Sequence, residues 1–167
     1  MQTWGIIRRL ILTCLLAAIA SAGAQAREVP SKQCIAPLSA GQTVESRLRQ
    51  PDTFVCDQNE SGLGSGDFLT ELRFAPVQPT SADPLVLRMP SVWQDGTRLH
   101  FRYVDGTQRL LDVPAKKAGA YLTIGAIMEY PVPFREAPLH SILIETRGSA
   151  NLRGVNEGVQ LMSASDA

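Results

Sequence analysis

Arg98–Val104 and Thr107–Val113 are two β-like runs of alternating side chains, and only Asp105-Gly106 separates them. A period of two puts alternate side chains on opposite faces of an extended strand. Asp-Gly supplies the positive φ angles of a two-residue hairpin turn. With Asp105 and Gly106 as the turn, Val104 faces Thr107, Tyr103 faces Gln108, Arg102 faces Arg109, Phe101 faces Leu110 and His100 faces Leu111. Leu99, Phe101, Tyr103 and Leu110 then make a core face, while His100, Arg102 and Arg109 share the other. Like charges directly opposite one another are destabilising on their own, and an anionic neighbour or ligand relieves them. His100, Arg102 and Arg109 are therefore a candidate anion- or sugar-contacting patch. The plainer reading is that two long arginines splay into solvent at little cost.

Other short runs repeat the pattern. Phe68–Phe74 places Phe68, Leu72 and Phe74 on one face, with Glu71 and Arg73 opposite. Leu85–Met89 ends at Pro90, Ala120–Tyr130 stops at Pro131 and Pro133, and His140–Arg147 is apolar and β-branched. Gly158–Met162 is the last strand expected. Ala115–Ala120 is long enough for one helical turn. Short strands with Pro/Gly punctuation predict an all-β fold, an antiparallel β-sandwich of jelly-roll type.

Residues 1–26 read as a secretory signal peptide: Arg8 and Arg9, an apolar run Leu10–Ala20, then Ala24 and Ala26 in small-x-small spacing. Cys14 lies inside the apolar run, the wrong place for lipidation. An uncleaved anchor is the alternative, but the run is short of the ~20 residues a spanning helix needs. Residues 27–67 read as a loop-rich segment of the same domain, 68–162 as the sandwich core and 163–167 as a tail. The leader takes two arginines and no acid, so 14 basic side chains remain against 16 acidic, a net −2. No long basic run is left, so nucleic acid is not an expected partner. Cys34 and Cys56 remain, and an even count in an exported chain predicts a disulfide. The expected location is the periplasm.

Trp93 lies between two strands beside Gln94 and Asp95. Its face could stack on a sugar ring, but a Trp at a strand end more often closes a core. Asp57–Gly62 imitates the opening of a calcium loop, yet Phe68 stands where a bidentate Glu is required. His100 and His140 are isolated and the cysteines are committed to each other, so no zinc spacing exists. No metal or cofactor is expected. The chain has no Gly-x-Ser-x-Gly elbow, no His-Glu-x-x-His and no phosphate-cradling Gly-x-x-x-x-Gly-Lys. Gly64-Ser65-Gly66 precedes a strand instead of a helix, the wrong context for a nucleotide loop. No catalytic residue is assigned, although acids distant in sequence can meet in space.

Trp93-Gln94, Tyr103-Val104-Asp105-Gly106, Tyr121–Ala126 and the stretch from Pro138-Leu139 to Ala150–Val155 carry a resemblance. Over most of residues 85–162 the chain resembles the periplasmic N-terminal region of sphingomonad-type GGDEF signalling proteins. Those regions are similar to the extracellular sensory domains of seven-transmembrane intracellular-signalling receptors, which resemble carbohydrate-binding modules. The resemblance implies a non-catalytic sensory module with a small-molecule or carbohydrate ligand, coupled to a membrane-embedded signalling region. The sequence contains no Gly-Gly-Asp-Glu-Phe. It is expected to be either the sensor portion of a longer receptor or a free-standing periplasmic relative. The competing classes are a periplasmic carbohydrate-active enzyme and a structural interaction protein.

Overall fold

The computed structural model describes residues 28–39, 41–50, 54–56, 66–90, 94–148 and 158–167. Residues 1–26, Trp93 and the stretch Asp57–Gly62 lie outside these residues. In chain order the elements are β1 (Ser31–Leu38), a one-turn helix α1 (Val44–Leu48), β2 (Val55–Cys56), β3 (Asp67–Val77) and β4 (Leu85–Met89). Then come β5 (Gly96–Tyr103), β6 (Gln108–Pro114), a single helical turn α2 (Ala115–Ala118) and a 3-10 turn over Gly119–Tyr121. β7 (Leu122–Thr123), β8 (Ile127–Pro131), β9 (Leu139–Arg147) and β10 (Gln160–Ser163) complete the set.

Two antiparallel sheets result, ordered β2-β1-β3-β9-β5-β6 and β10-β4-β8-β7. The chain passes repeatedly from one sheet to the other, so neighbours in sequence are often in different layers, as in a jelly roll. The fold is the antiparallel β-sandwich that the alternation predicts. Alternation also selects what is buried. From the larger sheet Leu72, Leu99, Phe101, Tyr103, Ile142 and Ile144 point inward, and from the smaller one Leu85, Leu87, Met89, Met128, Tyr130 and Leu161 meet them. On the solvent side of the smaller sheet Arg88 pairs with Glu129 directly across the ladder at 3.1 Å.

A second, smaller core lies on the outside of the larger sheet. Val44 and Leu48 of α1, together with Leu38 and Phe54, pack on Leu69 and Leu143. Thr43 caps α1 by accepting from the Ser46 backbone N–H, and Ser46 returns a bond to the Thr43 N–H, a reciprocal cap that satisfies two otherwise orphaned donors. Among the described residues, a cover therefore lies over β1, β3 and β9 and leaves β5 and β6 bare. Cys34 and Cys56 are bonded, tying β1 to the end of that cover. The bridge suits an oxidising compartment. Among the described residues no helix is long and apolar enough to cross a membrane.

Three expectations change. The stretch 27–67 is not loop-rich throughout: Ser31–Leu38 is an eight-residue strand inside the larger sheet. Pro30 and Pro37 obscured it, because Pro within a run argues against a strand; here Pro37 falls one residue before the strand ends. Second, Ala120–Tyr130 is not one strand. It folds into the hairpin β7–β8 around Gly125 and Ala126, both with positive φ.

The third change is the register of the β5–β6 ribbon. Of the two turn residues only Gly106 has a positive φ, +80°. Asp105 stays out of that costly region and instead accepts from the Thr107 backbone N–H at 2.9 Å and its hydroxyl at 2.6 Å. Those bonds, the hydroxyl's first, hold the Asp105 carboxyl below its ordinary pKa. The Gly106 N–H donates to the Tyr103 carbonyl, and the Tyr103 N–H to the Thr107 carbonyl. The loop is thus three residues, Val104-Asp105-Gly106, with a glycine bulge. Every pairing moves by one: Arg102 faces Gln108, Phe101 faces Arg109 and His100 faces Leu110. Leu110 therefore leaves the core face and is exposed.

Two stability measurements follow. The bridge joins residues 22 apart, so Cys34→Ser/Cys56→Ser should lower unfolding stability by about 3 kcal/mol in urea titration. An unchanged midpoint would mean that packing alone pins the cover. Burial raises the Tyr103 and Tyr130 phenols above their usual value. The unfolded chain then loses those protons first, so the tyrosines' contribution to stability is constant up to about pH 10 and falls above it. Tyr130→Phe should blunt that alkaline fall in denaturation midpoints measured against pH.

Candidate functional site

Register alone arranges the outer face of the larger sheet. One row across the strands reads Asp112, Arg98, Glu145, Leu69; the next reads Leu110, His100, Leu143, Glu71; a third reads Gln108, Arg102, Ser141, Arg73. The first row alternates in charge from strand to strand, which favours the pairing. Arg98 lies 3.2 Å from Asp112 and 3.8 Å from Glu145.

Glu145 is 2% exposed, a carboxylate buried on the outer face of β9 beside Leu143. A charge in that position must be paired to be tolerated. Arg147 Nε donates to it, and Arg98 and His100 Nε2 each stand 3.8 Å away. Arg147 continues the chain of charge to Asp67 at 3.1 Å, whose other oxygen accepts from the Gly148 N–H at 3.0 Å. Burial works against the Arg147 charge, but the bond to Glu145, that carboxylate's charge and Asp67 outweigh it and hold its pKa above the ordinary value. His100 Nε2 is covered and makes no hydrogen bond among the described residues.

The cover ends beside this network, and the step between the two forms a groove of about 460 Å³. Gly41–Glu45 makes one wall, Leu110 and Asp112 of β6 the other, and Arg98, His100, Glu145 and Arg147 the floor. Past Arg98 it runs into a hollow of about 260 Å³ beside Gly96. Gly96 sits on the outer face opposite Arg147 and Pro114, so the missing side chain opens the floor there. A Cβ on it would approach nothing closer than 4.0 Å. Volumes of this order suit a small ligand. No group of three or more His, Cys, Asp or Glu that could hold a metal occurs among the described residues.

The structure separates the residues singled out in the sequence. His100 lies in the groove floor. Arg102 shares its face but is bonded to Glu71 at 3.3 Å, beside Arg73, so a protein carboxylate already supplies the anion it wanted. Arg109 lies opposite Phe101, on the core-facing side of an edge strand, and is exposed. The facing pair of arginines does not exist, because the glycine bulge shifts the register. Sequence reasoning missed Arg98, Asp112, Glu145 and Arg147. A signal for one was present: an acid in the run Ser141-Ile142-Leu143-Ile144-Glu145-Thr146 is a charge in a strand expected to be buried.

No protein-family model matches the chain, and no curated protein matches it. Two solved chains do. One is a pectin-binding carbohydrate-binding module, 10% identical, with a TM-score of 0.34, covering 86% of this chain and 94% of that one. So loose a superposition carries no argument about a ligand. The class is defined by the two sheets and the groove themselves: an antiparallel β-sandwich with a charged cleft on the outer face of its larger sheet.

The network makes unequal predictions for its carboxylates. Glu145→Gln takes the nearest carboxylate from the half-buried Arg147 and should cost about 3 kcal/mol in urea unfolding. Asp112→Asn breaks an exposed pair and should cost less than about 1 kcal/mol. Equal losses would show that the groove floor is solvated.

Proposed function

We propose that the chain is an exported ligand-binding module, and that its groove holds a small, neutral, hydroxyl-rich molecule of carbohydrate type. The observation that carries this reading is the groove floor, where guanidinium donors and carboxylate acceptors alternate within 3.2–3.8 Å of one another. Hydroxyl groups both donate and accept, so a polyol can bond to both members of such a row, and charged partners give the stronger bonds. An anion fits less well. Both arginines are already neutralised, and Glu45 and Asp112 bring negative charge to both walls.

A binding role is supported over hydrolysis by the commitment of each groove carboxylate on β6 and β9 to an arginine. The basic, apolar and small order of residues 1–26 supports export, and the Cys34–Cys56 bridge agrees with it. On the resemblance to GGDEF-associated periplasmic regions, the module would serve as the input part of a membrane-bound receptor, reporting ligand occupancy to the cytoplasm. Coding sequence running on past the Ala167 codon into hydrophobic helices is the expected finding for that coupling.

Thermal-shift screening tests the groove. A neutral mono- or oligosaccharide at saturation should raise Tm by several degrees, and uronates or phosphosugars should do so less. Arg98→Gln should abolish the shift, as should Gly96→Phe, which fills the floor without a backbone clash. Silence across the whole sugar panel, or shifts that survive both substitutions, would overturn the reading.

A further inference from the structure

A separate surface, at the other end of β6 from the Asp105-Gly106 turn, has a different chemistry. From residue 113 to residue 128 the sequence holds no acid and no arginine, but it holds Lys116 and Lys117, two of only three lysines in the chain. The structure turns this stretch outward. Lys116 and Lys117 are exposed on α2, Ala120 is exposed on the 3-10 turn, Leu122 is 51% exposed and Ile124 is 98% exposed. Ile124 therefore touches almost nothing of its own chain.

The backbone holds it there. Ile124 precedes Gly125 at φ +86° and Ala126 at φ +60°. Ala126 occupies a left-handed conformation that a residue with a Cβ rarely adopts. The turn is closed by the Thr123 hydroxyl donating to the Ile127 carbonyl at 3.1 Å. β7 itself is a two-residue edge strand, too short to template pairing with another chain. What projects is a tip: aliphatic side chains following two lysines, on a body that is net negative once residues 1–26 are set aside.

We infer that the Lys116–Ala126 tip docks on an anionic lipid surface, with Leu122 and Ile124 entering the interface and Lys116 and Lys117 facing the headgroups. Charge complementarity selects this occupant. Aliphatic burial and attraction of lysines to anionic lipid are each weak alone, and together they give reversible surface binding. Ile124, 98% exposed on a two-residue hairpin turn, offers an aliphatic side chain to a fluid interface. The inference is independent of the groove and its ligand: one occupies the outer face of the larger sheet, the other the edge of the smaller.

The test places an environment-sensitive fluorophore at Ile124→Cys, in a Cys14→Ser chain with the native bridge intact, and at Val104→Cys as the remote control. Phosphatidylglycerol vesicles should blue-shift the label at 124 and leave the one at 104 in water, and phosphatidylcholine vesicles should do neither. In unlabelled chains, co-flotation with the anionic vesicles should fall about tenfold for Lys116→Gln/Lys117→Gln and at least about tenfold for Leu122→Ser/Ile124→Ser. It should also weaken with added salt. Equal shifts at both positions, binding indifferent to lipid charge, or no shift at 124 would each overturn the inference. The label distinguishes docking by the tip from attachment through residues 1–26, which would leave position 124 in water.

Discussion

The pairing of β9 with β3 on one side and β5 on the other is the constraint from which the remaining structure follows. This strand is buried on both faces. Its inward residues, Ile142 and Ile144, close the main core against the smaller sheet, and Leu143 on its outer face receives α1 and the cover. A strand packed this closely gives a charged side chain little access to water. Its two charged positions, Glu145 and Arg147, are therefore obliged to bond to each other and to recruit Arg98, His100 and Asp67.

The groove is a consequence of incomplete coverage. Among the described residues the cover reaches from β1 across β3 to β9 and stops, and the β5–β6 ribbon stands beyond it without a roof. Both boundaries have local causes. The cap at Thr43 starts α1 where its apolar face meets Leu69 and Leu143, and the bridge between Cys34 and Cys56 returns the chain to the sheet. A hydrophobic patch and a covalent tie thus decide where a polar cleft opens. Charged groups line it because they stand on the rows next to that patch, half in water and half against a dry layer where their mutual attraction is strengthened.

Two surfaces of opposite character lie on different sheets. The groove concentrates paired charge and carboxylate-bearing walls, while the turn region after β6 has lost every acid and exposes aliphatic side chains with lysines. Neither surface is required by the sandwich core. The strain at Ala126 and the buried, unbonded nitrogen of His100 are features that packing alone would not select, and each belongs to one of these surfaces.

Alternation along single strands was enough to reveal the all-β class and the inward face of β5, Leu99, Phe101 and Tyr103. Those properties are local: each depends on which side of an extended chain a residue points. Leu85, Leu87 and Met89 point inward in any sandwich. What the sequence could not contain was the identity of lateral neighbours. Whether Arg102 meets Arg109 or Gln108 depends on one glycine bulge, and whether Glu145 meets Arg98 depends on a strand pairing across more than forty residues. A slip of one residue inverts every facing relation while leaving the alternation untouched. The sandwich was therefore legible in the chain, and the cleft was decided only when register and the covering helix brought distant charges into one row.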